Sequence, residues 1–203
     1  MPVEPDHFQP PEIFMKHTLT TLAAAMLAVT GAHAAGEYDG ALTDLAKGTI
    51  ADWVADPVVL GAVRAQNVST STLTEHEIIA LDATWRQQVV SGGDLIDTVL
   101  SNALSAHLKD IHMQGAGRYT EIFITDIRGL NVGQSGVTSD YWQGDEAKWQ
   151  VPHDTSGIHI GEIEFDESTQ SYQSHVSVPI MDDGSFVGVI TVGVNVEMLA
   201  TAN

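Results

Sequence analysis

Between Gly133 and Trp149 the chain reads GQSGVTSDYWQGDEAKW, which sets Tyr141, Trp142 and Trp149 beside the carboxylates Asp140, Asp145 and Glu146. Gly136 and Gly144 let the backbone turn within the segment. A carboxylate draws an ammonium group by charge, and an aromatic ring face adds a cation–π attraction of about 0.5–2 kcal/mol. The combination suits the wall of a pocket for an amine or amino-acid-like small molecule: apolar faces exclude water and a few polar groups fix orientation. Arg118, just before the first strand, and Lys148, within the segment, could each meet a ligand carboxylate, Arg118 with a two-pronged geometry. Both also fit an ordinary surface ion pair. Tyr172 and Ser174 share one face of a later strand and His175 takes the other, and Tyr172 is the favoured contributor. The expected ligand-binding set is therefore Arg118, Asp140, Tyr141, Trp142, Asp145, Trp149 and Tyr172. The same aromatics also fit the edge of a core, with the acids turned to solvent.

Other chemistries find less support. His153, His159 and His175 with Asp154 could supply zinc ligands, but their spacing is not that of a helix-borne H-E-x-x-H pair. Ser135, Ser139 and Ser156 lack a nucleophile-elbow context, and Gly129, Gly133 and Gly136 lack the strand-to-helix passage of a phosphate loop. Asp140, Asp145 and Glu146, or Asp166 and Glu167, could hold a divalent cation, although not with EF-hand spacing. The expectation is a binding module with no catalytic residue, no metal ligand and no cofactor. A divalent-cation-binding protein and a metal-dependent hydrolase are the alternatives.

The composition narrows the partners. Among 203 residues, 8 Lys and Arg stand against 27 Asp and Glu, a net charge of −19. Phosphate-rich partners need clustered cations, so nucleic acid and anionic membrane surfaces are poor candidates. There is no cysteine, which removes disulfides and thiolate metal sites. Residues 1–14 are rich in Pro and acid and read as an untranslated or disordered extension. From Met15 follow a basic start (Lys16, His17), an apolar run over 19–29 and the small-residue site Ala32-His33-Ala34, the order of a secretory signal peptide over 15–34. The sequence offers no later run of the ~18 apolar residues that a membrane helix needs. Residues 35–203 are expected to form one exported domain, periplasmic or secreted.

The elements that must position the loop come in two blocks. Leu42, Leu45, Ala46, Ile50, Trp53 and Val54 recur at helical spacing. Asp56-Pro57 caps a second helix over 58–66 that closes at Asn67. Thr74-Glu75-His76-Glu77 is a capping box, followed by a stripe of Ile78, Leu81, Trp85 and Val89. Gly92-Gly93 stops that helix, and Asp94 caps a long one over 94–115. At about Tyr119 the period changes to two. Strands are expected over 121–126, 130–134, 158–165, 172–180 and 186–194, with turns at Arg128-Gly129 and Asp182-Asp183-Gly184. Helices followed by five mainly antiparallel strands predict an α+β domain with its helices on one face.

This order, with EIFITDIRGLNVGQS, TSDYWQGDEAKW, EIEFDESTQSYQSHVSVPI and GSFVGVITVGVNVEML over residues 119–199, resembles the PDC or Cache family of extracellular PAS-like sensor domains. The resemblance implies long N-terminal helices packed on a five-stranded sheet, with a small-molecule pocket between the curved sheet and the loop after the second strand. It implies signalling through a separate membrane sensor kinase or chemoreceptor, because the mature chain has no span of its own, and side-by-side pairing of the N-terminal helices in a homodimer. No full amino-acid-binding signature is present, so the family's ligand specificity does not transfer.

Overall fold

The computed structural model describes residues 31–200. The expected extension at 1–14 and the signal peptide over 15–34, save its last four residues, lie outside them. A first helix, α1 (Gly31–Leu45), runs through a π turn over residues 46–50 into α2 (Ala51–Val54), and Leu42, Leu45, Ala46 and Ile50 are buried along it as their spacing predicts. Asp56 accepts a hydrogen bond from the Val58 N–H at 2.7 Å with Pro57 in the first turn, which starts α3 (Pro57–Thr70). The helix does not close at Asn67. The Asn67 side chain is committed to the sheet, its Nδ2 donating to the Val187 carbonyl at 2.8 Å and its Oδ1 accepting from Ile127 N–H at 2.9 Å.

Helix α4 (Glu75–Ser91) opens with the expected capping box between Thr74 and Glu77. Its inward stripe is Ile78, Asp82 and Trp85, while Val89 is 44% exposed and does not belong to it. The long helix expected over 94–115 is two helices, α5 (Asp94–Ser101) and α6 (Ala103–Gln114). Asn102 breaks it. With ψ at 164°, its Oδ1 caps α6 by accepting from Ser105 N–H and its Nδ2 donates to the Val132 carbonyl. Asp94 is not the cap of α5 either: Gly93 holds that position, and the Gln88 Oε1 accepts from the N–H groups of Leu95 and Ile96.

The second block is one antiparallel sheet of six strands rather than five. Its order is β2-β1-β6-β5-β3, with β4 also on β5: β1 (Tyr119–Asp126), β2 (Asn131–Gln134), β3 (His159–Ile160), β4 (Glu164–Asp166), β5 (Ser171–Asp182) and β6 (Ser185–Asn195). The run 158–165 is thus two short strands, because the chain leaves the ladder over 161–163. Asp183 and Gly184, at φ 49° and 80°, turn β5 into β6 as the Asp-Gly pair predicts. A short α8 (Val196–Ala200) closes the described chain.

Alternation divides the sheet into two faces. Ile122, Ile124, Val132, Val176, Val178, Ile180, Ile190, Val192 and Val194 form the main core with Leu42, Ile50, Val59, Val63, Leu104 and Leu108 from the preceding helices. The α4–α5 pair builds a second cluster, Ile78, Trp85, Ile96 and Val99, against Leu130 and Tyr141. The opposite face carries Phe123, Thr125, Asn131, Gln134, Ser177 and Thr191, all buried. A helix that the sequence reading treated as loop, α7 (Ala147–Thr155), packs against β5 and β6 on this face, so the helices are not confined to one side. The architecture is α+β.

Candidate functional site

The loop between β2 and α7 is suspended from α4. The Asp82 carboxylate, 5% exposed, accepts from the backbone N–H groups of Tyr141 (2.9 Å) and Trp142 (3.1 Å) through one oxygen and from Arg86 through the other. One turn along, Trp85 Nε1 donates to the Thr138 carbonyl at 2.8 Å, and its ring stacks on Tyr141 with centroids 5.4 Å apart. Neither Asp82 nor the anchoring role of Trp85 was singled out by spacing alone. The available signal was an acid in phase with the apolar stripe of α4, since a buried carboxylate needs partners.

A second set of tethers leaves the β1–β2 turn. The Trp142 Nε1 donates to the Arg128 carbonyl at 2.9 Å, and Trp149 Nε1, from α7, donates to the Asp126 carbonyl at 3.3 Å. Asp126 itself is fully buried. Its Oδ1 accepts from the N–H groups of Arg128 (2.8 Å) and Leu130 (3.0 Å), and its Oδ2 from the Thr70 hydroxyl (2.8 Å). Burial pushes its pKa up despite these bonds. Burial, with the Asp126 charge nearby, pushes the Tyr141 phenol up to about 12.

Beneath the loop lies a connected group of amides. Asn131 Nδ2 donates to the Thr138 hydroxyl (2.8 Å) and the Asp140 carbonyl (3.0 Å), and Gln143 Nε2 donates to the same carbonyl (2.9 Å). Thr138 Oγ1 lies 3.3 Å from Gln134 Oε1. These bonds commit one end of each amide and leave the other end bare: Asn131 Oδ1, Gln134 Nε2 and Gln143 Oε1 are buried with no protein partner. Nearby on the same face, Lys148 Nζ sits 5.3 Å from the Phe123 ring centroid and pairs with Glu146 at 3.0 Å.

The seven residues expected to bind ligand are spread over several places. Asp140, Trp142 and Asp145 line one cleft of about 330 Å³ with Asp82 and Arg86, where Asp140 pairs with Arg86 at 3.3 Å. Tyr141 is in the second core cluster. Trp149 faces a separate cleft, which Trp142 also borders. Arg118 precedes β1 at the end away from the Asp126 turn, its carbonyl accepting from Asn195 N–H. Tyr172 is half-exposed, edge-on to Phe165. The histidines considered as zinc ligands are also divided: His153 stacks on Trp149, whereas His159 and His175 border a pocket beside β5 and His175 bonds Glu121 at 2.7 Å. Among the described residues no group of three His, Asp or Glu side chains could hold a metal ion, and no helix is long and apolar enough to cross a membrane.

No protein-family model matches the sequence, and no curated protein matches it. The structure is similar to sensory domains of chemoreceptors and histidine kinases. The sensory domain of the Campylobacter jejuni chemoreceptor Tlp3 matches with a TM-score of 0.40 and 13% identity over 78% of this chain and 65% of that one. The V. cholerae histidine kinase DctB sensor domain matches at 0.38 and 10% over 80% and 59%, and the E. coli DcuS sensor domain at 0.38 and 15% over 62% and 90%. The chain thus spans just under two thirds of the Tlp3 domain.

Proposed function

We propose that the chain is an exported small-molecule-binding module of the sensor type, passing its state to a separate membrane kinase or chemoreceptor. Its ligand would lie between the sheet and the loop running into α7. The observation that carries this reading is the amide group beneath that loop. Buried polar atoms are almost always paired, and each one left bare costs about 1–3 kcal/mol. Three on one connected network, Asn131 Oδ1, Gln134 Nε2 and Gln143 Oε1, mark a place where another molecule completes the bonding. Two bare acceptors and one bare donor suit a ligand that presents both N–H and oxygen groups, an amine or amino-acid-like molecule. Asp140 enters this site through its carbonyl rather than its charge. The sequence resemblance to PDC or Cache sensors and the antiparallel sheet with its covering loop support the same reading.

The test is a thermal-shift screen of amines, amino acids and carboxylates, followed by calorimetric titration of any hit against wild type and Gln134→Leu. The apolar side chain removes the bare Nε2, so the free variant should be as stable as wild type or more so, while hit affinity falls at least tenfold. Unchanged affinity in Gln134→Leu would remove the site from the amide group. A reduced stability of the free variant together with unchanged affinity would mean that ordinary water completes the network.

A further inference from the structure

One edge of the sheet is sealed and the other is open. Along β2 the outward backbone groups are taken by helix side chains: Gln66 Nε2 donates to the Asn131 carbonyl at 3.0 Å, Asn102 Nδ2 to the Val132 carbonyl at 2.8 Å, and Ser105 Oγ accepts from the Gln134 N–H at 2.9 Å. The far edge is made by β3 and β4, which both lie on the outer side of β5. There the Gly161 N–H donates to the His175 carbonyl at 2.8 Å, which sets the phase of the ladder. Odd-numbered residues at this end of β5 bond outward, so Glu164 and Asp166 face Gln173 and Ser171 through their backbone groups, and Phe165 turns its own N–H and C=O away from the sheet. No strand lies beyond β4 among the described residues. An open strand edge of this kind is a template for an added strand.

The side chains of β4 decide which strand fits. Phe165 stands opposite Tyr172 with ring centroids 5.2 Å apart, and the two remain 48% and 50% exposed, an aromatic pair that the core does not cover. On the other face, Glu164 and Glu162 line a pocket of about 240 Å³ beside His159 and His175. Lys148 in that pocket is already paired with Glu146 at 3.0 Å, and His175 with Glu121 at 2.7 Å. Glu162 and Glu164 are exposed and form no ion pair among the described residues. A docking strand would thus meet aromatic rings on one face and unpaired carboxylates on the other, which alternation of side chains turns into a basic–apolar–basic sequence. A second copy does not fit, because it would set these carboxylates against their own kind. The chain itself supplies no such strand either, since no Lys or Arg in it stands two residues from another. We infer that the β4 edge docks an extended segment of a partner protein in which Lys or Arg alternates with aliphatic residues. Its main chain bonds the Phe165 backbone, its apolar side chain covers Phe165 and Tyr172, and its cations pair with Glu162 and Glu164. The surface does not rest on any ligand at the amide group.

The test uses the full chain and a synthetic peptide, acetyl-SRVRVRS-amide, with acetyl-SRRRVVS-amide as a control of the same charge and composition. The alternating peptide should bind about tenfold or more tighter than the control. It should also slow hydrogen exchange at the Phe165 amide, which faces solvent in the free protein, and leave the amides of β2 as they were. Phe165→Ser should abolish the difference between the two peptides. Glu162→Gln together with Glu164→Gln should weaken both peptides about tenfold and flatten their dependence on salt. All three positions are exposed, and exchange at Phe165 in the wild-type chain reads the docking without any variant. Equal affinity for the two peptides would reduce the surface to diffuse charge attraction and overturn the assignment. An unprotected Phe165 amide at about 1 mM alternating peptide, or wild-type binding by both variants, would overturn it as well.

Discussion

Asp126 is where the sheet, α3 and the covering segment meet, and replacing it separates its geometry from its charge. In Asp126→Ala the N–H groups of Arg128 and Leu130 lose their acceptor, the second of them buried. Thr70 loses less, because its hydroxyl also lies 3.0 Å from the Gln66 carbonyl. Two stranded donors at about 1–3 kcal/mol each, offset by release of a buried charge, put the loss at roughly 2–4 kcal/mol. Asp126→Asn keeps the Oδ1 that both N–H groups use, and its Nδ2 can donate to the Thr70 hydroxyl, so its cost should stay below about 1 kcal/mol. The two variants differ again in pH dependence. Burial raises the Asp126 pKa in the folded protein, so its stabilising contribution is fully present below the unfolded carboxyl value of about 3.9 and is lost as pH rises through the folded value. Asn does not titrate. Urea unfolding at pH 4 and pH 8 should therefore show Asp126→Asn gaining on wild type as pH rises. The reasoning fails if Asn costs as much as Ala, or if the gap between Asn and wild type is the same at both pH values.

Two further substitutions probe the scaffold. Leu104→Ala should cost about 2–5 kcal/mol in urea unfolding, because Leu104 is 2% exposed on α6 and fills the space above Gly133, where even a Cβ would stand 2.8 Å from it; a loss under about 0.5 kcal/mol would show that α6 does not seal the core. Gly193→Ala should cost about 1–3 kcal/mol, since its Cβ would stand 2.2 Å from Thr120 Oγ1 and 3.0 Å from Glu121 Cγ, and the Glu121–His175 bond crosses β6 at that position; a neutral result would mean that these side chains move aside freely.

The starts of α3 and α4 and the turn from β5 to β6 were legible because each rests on contacts a few residues apart. The Asp56-Pro57 start, the Thr74–Glu77 box and the Asp183-Gly184 turn depend on bonds within the same four or five residues. What was not legible depends on distant partners. Asn67 looked like a helix end because Asn tolerates one, yet its amide is engaged by Val187 and Ile127, more than fifty residues along the chain. The run 94–115 keeps one apolar phase across Asn102, and the break rests in part on the distant Val132 carbonyl that Asn102 reaches. Pro152 and a weak apolar pattern hid α7, since proline inside a helix normally argues against one.

The same distinction separates the two halves of the candidate site. Aromatic and acidic density drew attention to residues 140–149, and the segment does occupy the expected position after the second strand. Density cannot say which way a side chain points. Asp82 takes the N–H groups of Tyr141 and Trp142, and that one carboxylate turns Tyr141 into the core while Trp142 divides two outer clefts. The inward positions fall instead to Asn131 and Gln134, neutral residues without the charge that marks a binding group in a sequence. Their signal is one of placement: on β2 they share the face that Phe123 and Thr125 present from β1, where an all-apolar set would pack at lower cost. An amide there is retained at an energetic loss in the free protein, and on the proposed function a bound molecule that completed the bare ends of Asn131, Gln134 and Gln143 would recover it. On that reading the stability of the free protein and its affinity for ligand would be set against each other at the same atoms, which is why Gln134→Leu should move them in opposite directions.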